Sequence, residues 1–291
     1  MRYQGMVIRP PSEANSYILQ ITYGCSHNRC TFCGTFLDKP FRPRNLDEVL
    51  EDIELAEDVI PATRRVFLAD GDALVLPANR LITILDKLQA SFPRLERVGI
   101  YANARDLINK TPSELKTLKE KGLGIVYIGL ESGSDEILTQ IEKGATAAEM
   151  ITAAQKAREA GMLLSVIGIL GLGGPDLSAR HATETGRVVA EMDPDYFSML
   201  TLMLEPRTKL HAQWQAGEFQ LLDPTAMLTE LRQVLENLNG LSRCVLRTNH
   251  ASNYLPLKGT LPQDKARLLA MLDDALARGQ DALRPESWRG L

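Results

Sequence analysis

Short apolar runs alternate with amphipathic stretches along roughly the first two hundred residues of this chain. Residues 16–22 (SYILQIT) read as a strand, and so do 65–69, 97–102, 125–130, 162–170 and 196–203. Between them the apolar positions recur at helical spacing. Asn45 caps a predicted helix over 46–59, with Glu48 completing the cap pattern, and 81–92 form an amphipathic helix. Thr111-Pro112-Ser113-Glu114 sets out a cap, a proline at the first helical position and a capping-box glutamate. Further helices are expected over 134–140, from about 146 to 160 where Gly161 ends the pattern, and over 177–192.

Strict alternation of apolar strands with helices argues for a parallel sheet with helical crossovers. Six repeats in one series predict an α/β fold, a partial (β/α)6 TIM-type barrel over residues 1–205. The pattern changes after Pro206. Helical segments over 209–216 and 223–238 precede a short strand at 244–249 and a loop rich in Asn, Pro and Gly. A last helix is expected over 261–278, with Thr260 and Gln263 flanking Pro262 as a capping box. Residues 206–291 contain no linker-like composition, so they are expected to form a mainly helical extension packed on the barrel.

Composition narrows the function. At 44% hydrophobic and 24% charged, the 291 residues can bury a core without disulfide staples. The formal net charge of -4 supplies no global basic field for nucleic acid or an anionic membrane. No apolar run is long enough to span a bilayer, and MRYQGMVIRPPSE lacks the apolar stretch of a signal peptide. A reducing cytoplasm is the expected location.

The chemistry concentrates in Cys25-Ser-His-Asn-Arg-Cys30-Thr-Phe-Cys33, with one further cysteine, Cys244, far downstream. Thiolates suit zinc or iron–sulfur clusters. A zinc site would recruit His27 or Cys244, although only Cys30 and Cys33 have the usual paired spacing. A plant-type two-iron cluster shares the C-x4-C-x2-C spacing and would need Cys244 as its fourth ligand. The third reading is a four-iron cluster with three protein ligands and one open iron. The loop follows the first strand, which in a parallel barrel puts it on the carboxyl-end face where active sites assemble. Asp70-Gly71-Asp72, Asn103, Glu131 to Ser134, Gly171, Gly173, Gly174 and Glu205 follow the later strands. That ring favours a cofactor site.

With those residues in view, the sequence resembles the radical S-adenosylmethionine (SAM) superfamily, especially its Elp3-like and coproporphyrinogen-oxidase-like branch, from about Pro10 to Met203. YGCSHNRCTFC resembles the cluster loop, implying Cys25, Cys30 and Cys33 as ligands of a [4Fe-4S] cluster and Phe32 beside the adenine of SAM. FLADGDAL resembles the strand-two motif and implies that Gly71 and Asp72 engage the methionyl amine. YIGLESGSDEIL resembles the strand-four motif, with Glu131 on the ribose and Lys143 facing the SAM carboxylate. SVIGILGLGG resembles the strand-five segment, placing Gly168 beside adenine, and Asn103 at the end of strand three joins the cofactor-facing set. The first cysteine interval carries one residue more than the common C-x3-C-x2-C, and DGD stands in place of GGE. No second cysteine cluster accompanies the first.

The resemblance implies reductive cleavage of SAM to a 5′-deoxyadenosyl radical that takes hydrogen from a substrate. An external electron donor is required, and a small-molecule substrate is preferred over nucleic acid. The competing classes are an iron–sulfur electron-transfer protein and a zinc-stabilised interaction module. Elsewhere, His181 and His211 read as surface residues, Asp70 as a solvated turn residue, and Cys244 as a buried or free thiol. His250, Asn253 and Lys258, in RTNHASNYLPLKG, are expected to dock the extension onto the barrel.

Overall fold

The computed structural model describes residues 2–290, which form two compact units. The first comprises the chain up to Asn28, Thr35–Ile128 and Thr152–Leu164; the second comprises Arg29–Gly34, Gly129–Ile151 and the chain from Ser165 onward.

In the first unit, β1 (Tyr17–Gln20), β2 (Arg65–Ala69), β3 (Arg97–Ala102) and the first six residues of β4 (Leu123–Glu131) lie side by side in sequence order. All these pairings are parallel, with Ile18 opposite Phe67, Leu68 opposite Ile100 and Ile100 opposite Val126. Val66, Phe67, Leu68 and Ala69 are all fully buried, which explains why β2 is a continuous apolar run instead of an alternating one. Four helices follow the strands: α1 (Leu46–Val59), α2 (Ala78–Ser91), α3 (Ala104–Asn109) and α4 (Pro112–Glu120). Their buried residues, such as Val49, Ile53 and Ala56 on α1, recur at helical spacing. The Asn45 side chain caps α1 by accepting from the Asp47 amide, and Thr111 and Glu114 close a capping box on α4.

Two expectations fail here. The first strand breaks at Ile21, and Thr22–Tyr23 peels away to pair antiparallel with Arg42–Pro43. Helix α3, too short to show periodicity, is opened by Asn103, whose backbone N–H donates to Asp106 Oδ2 at 3.0 Å.

The second unit takes up the end of β4 and adds α5 (Asp135–Gln140) and the first turn of α6 (Ala147–Glu159). It continues with most of β5 (Leu163–Leu170), then α7 (Gly174–Met192), β6 (Tyr196–Thr201), α8 (Lys209–Gln215), α9 (Pro224–Asn237), β7 (Cys244–Arg247), β8 (Lys258–Leu261) and α10 (Lys265–Arg278). β5, β6 and β7 are parallel neighbours, and β8 runs antiparallel to β7 with Leu261 opposite Cys244. Residues 258–261 are therefore strand, and the last helix starts later than predicted. Asp264, not Gln263, bonds the Thr260 amide, at 2.7 Å. Helices α7 and α9 approach so closely at Gly186 that a Cβ there would lie 2.8 Å from the Val234 carbonyl.

The RTNHASNYLPLKG segment is tied to β6. Asn253 accepts the Thr201 hydroxyl at 2.8 Å and donates to the Met199 carbonyl at 2.9 Å. Arg289 stacks 4.1 Å from the Tyr254 ring centroid and donates to the Ser252 and Leu202 carbonyls. Among the described residues no helix is long and apolar enough to cross a membrane.

Candidate active site

The cysteine loop passes from the first unit to the second between Asn28 and Arg29. Cys25 lies in the first, held by its two neighbours. Gly24 adopts φ +67°, and a Cβ there would collide with the Lys39 carbonyl; only glycine accepts both demands. Its amide donates to Asp70 Oδ2 at 3.0 Å, which also takes Lys39 Nζ at 2.6 Å and Gln20 Nε2 at 3.1 Å. Asp70 is 1% exposed, so it is no solvated turn residue but the anchor of the segment preceding Cys25. On the other side, the Ser26 hydroxyl donates to Asp72, and Arg105 donates to Ser26 and, at 3.4 Å, to Asp72 Oδ2.

Asp72 is fully buried, and its Oδ1 has no hydrogen-bond partner. Burial, reinforced by a hydrogen bond and charge from Asp72, pushes the Asp106 carboxyl up to about 8. Asn103 Nδ2 is likewise buried without a partner. At Gly71 the Phe36 ring fills the space where a side chain would stand.

In the second unit, Cys30 accepts from the Cys33 amide at 3.2 Å. Thr31 staples this half of the loop, donating to the Ile141 carbonyl beyond α5 and accepting from the Leu210 amide in α8, both at 2.9 Å. Phe32 between the ligand candidates is half-buried. Glu131 ends β4 in the left-handed region, φ +63°, with the Ser132 amide turned back onto the Leu130 carbonyl at 2.8 Å. Lys143 reaches Glu131 Oε1 at 2.8 Å, and both side chains are about nine-tenths buried. The two residues expected to face ribose and carboxylate are thus brought together as an ion pair, so the lysine is not solvated. Gly168 makes room for Met199: a Cβ would lie 2.7 Å from its sulfur.

The donor set fits an iron–sulfur cluster. Cys25, Cys30 and Cys33 are half-buried thiols outside any disulfide, soft ligands suited to iron. Cys244 lies buried in β7, where burial pushes its thiol up to about 12, the opposite of what a thiolate ligand requires. Among the described residues no three His, Cys, Asp or Glu side chains converge to hold a single ion; a polynuclear cluster distributes its thiolates over separate irons. The unpartnered Asn103 Nδ2 is a buried donor of the kind a polar ligand satisfies.

Sequence reasoning missed Asp70, Asp106 and His181, all buried. Their polarity argued for the surface, and the residues that cover them are distant in sequence.

The chain belongs to the radical SAM superfamily, whose model matches residues 19–185, more than half its length. It is 28% identical over 196 residues to an uncharacterised methyltransferase of Pyrococcus horikoshii, covering 66% of this chain and 40% of the relative. It is 25% identical over 207 residues to the heme chaperone HemW of Bacillus subtilis, covering 68% and 53%. The solved coproporphyrinogen III oxidase HemN of Escherichia coli, a radical SAM enzyme, matches with a TM-score of 0.58 at 18% identity, covering 78% of this chain and 53% of that one. At that identity the likeness shows the fold alone, the α/β partial TIM-type barrel of the superfamily. The chain spans about half the length of the curated relatives it matches. The superfamily's cofactors are a [4Fe-4S] cluster and SAM, and its common reaction is reductive cleavage of SAM.

Proposed function

We propose that this chain is a radical SAM enzyme in which Cys25, Cys30 and Cys33 hold a [4Fe-4S] cluster whose fourth iron is left for SAM. The observation that carries the reading is the superfamily match across three half-buried thiols outside any disulfide, while the fourth cysteine lies buried in a sheet. Held by Cys25, Cys30 and Cys33 and reduced by an external donor, the cluster would supply one-electron reductive cleavage of SAM, the chemistry from which hydrogen abstraction on a substrate would follow.

The chain's own residues align and enclose. Asp70 fixes the Gly24 amide and with it the approach to Cys25; Thr31 fixes Cys30 and Cys33. Asp72 and Gly71 face the methionyl amine, Glu131 the ribose, Lys143 the carboxylate, and Phe32 and Gly168 the adenine, with Asn103 among the cofactor-facing residues. The short Glu131–Lys143 distance supports neighbouring roles for that pair. Such a site works by orientation, fixed electrostatics and exclusion of water. In this reading residues 1–205 are the catalytic core and 206–291 an extension packed on it, in a reducing cytoplasm. The substrate is a small molecule and the reductant an external electron donor.

Anaerobic reconstitution tests the proposal. Four irons per chain, a spectrum altered by SAM and release of 5′-deoxyadenosine under reductant are the expected results. Two irons without response to SAM would make the chain an electron carrier, and colourless zinc-loaded protein would make it an interaction module. Cys30→Ala should stay folded and lose the brown colour.

A further inference from the structure

Behind the Glu131 turn lies a polar network without solvent. His181 on α7 is fully buried, as are Ser132, Thr185 and Glu230. His181 Nδ1 is 2.8 Å from Ser132 Oγ, and that hydroxyl also accepts from the Ser134 amide at 3.0 Å. Thr185, one helical turn on, accepts the Gly133 amide at 2.8 Å. The turn after β4 therefore rests on α7 through two consecutive residues, Ser132 and Gly133. Gly133 lacks a side chain for the same reason: a Cβ would collide with the α7 backbone at Glu184 and Thr185.

The other side of the imidazole faces α9. His181 Nε2 lies 3.6 Å from Glu230 Oε1, and the ring also bonds the Ile169 backbone. Glu230 accepts the Gly171 amide at 2.6 Å and the Ser178 hydroxyl at 2.6 Å, so it fixes the turn that leaves β5. Burial drives the imidazole down to about 4 and the carboxyl up to about 7, so a neutral histidine occupies the centre at pH 7. A network this deep is costly wherever a member stays unpaired, and both turns it holds adjoin residues assigned above to SAM.

We propose that His181 and Glu230 are positioning residues that lock the turns after β4 and β5, and thereby aim Glu131 at its ligand. The inference rests on the SAM reading of Glu131, and the experiment separates the two. SAM dissociation constants are measured on reconstituted protein of equal iron content, and amide hydrogen exchange is measured on the cluster-free chain. His181→Ala, Glu230→Ala and Ser132→Ala should each weaken SAM binding at least tenfold and speed exchange at Gly133 or Gly171. Glu230→Gln, which keeps an acceptor for the Gly171 amide, should stay within about threefold. Leu246→Ala, which empties a buried site in β7 outside the network, controls for general loss of stability. Network variants that bind within twofold of the parent, or no worse than Leu246→Ala at matched stability, would overturn the proposal. Should His181→Ala fail to fold, Ser132→Ala, which deletes one hydroxyl, decides alone. If Glu131→Gln binds SAM normally while the network variants do not, the ribose assignment falls and the positioning role stands for the turn itself.

Discussion

Asp70 shows how much one buried carboxylate oxygen can organise, since a lysine, a glutamine amide and the Gly24 amide all converge on it. Removing the lysine charge leaves a carboxylate stranded away from water, which typically costs about 3–5 kcal/mol. Lys39→Met should lower stability by that order in urea unfolding, and Lys39→Met/Asp70→Asn should recover much of the loss. Cysteine reactivity gives a second residue-scale expectation. In cluster-free protein at pH 8, Cys25, Cys30 and Cys33 should react readily with a thiol reagent. Cys244, buried and with its thiol pushed up to about 12, should react only after denaturation. Four fast thiols would contradict the placement of β7.

Among the elements, the α7–α9 crossing is the most demanding contact. Gly186 faces the Val234 carbonyl and the Asn237 backbone and side chain, and backbone cannot swing away as a flexible side chain would. Gly186→Ala should therefore cost about 1–3 kcal/mol by overpacking, read as a lowered denaturation midpoint with an unchanged m-value. Elements of this length were legible in the sequence wherever local chemistry marks their ends. Asn45 and Thr111 cap the helices they were expected to cap, and Gly161, at φ +80°, follows the end of α6. The failures have a common cause in short elements whose identity depends on remote partners. Four residues at 258–261 become strand because β7 lies alongside, while the adjacent Thr-Leu-Pro-Gln imitates a helix start. His181 looked like a surface histidine because the sequence of α7 does not reveal that α9 will cover it. The placing of Asp70, Asn103 and Glu131 at strand ends, by contrast, was legible from the order of apolar runs, while the cysteine spacing alone left the metal open.

For the molecule as a whole, buried ionisable groups set a pH dependence. Asp106, held near 8, binds its proton more tightly folded than unfolded, so its contribution is complete at low pH and is lost as pH rises through about 8. Glu230, held near 7, acts in the same direction over a narrower window. His181 acts oppositely: its depressed value of about 4 removes stability as pH falls below its ordinary range. Between pH 6.5 and 8 the carboxyl contributions prevail, and stability should decline with pH by at most about 1.4 kcal/mol per pH unit for each proton released. Asp106→Asn, which cannot release that proton, should show a shallower decline in urea midpoints across the same window. An equally steep decline would contradict the protonated Asp106.

Glu131 occupies a backbone conformation that glycine adopts at no steric penalty and glutamate does not. The strained turn also keeps that carboxylate within reach of the enclosed Lys143 ammonium, so backbone relief and charge loss pull against each other. A Glu131→Gly chain should melt earlier than its parent because it strands the lysine, and Glu131→Gly/Lys143→Met should recover much of that loss.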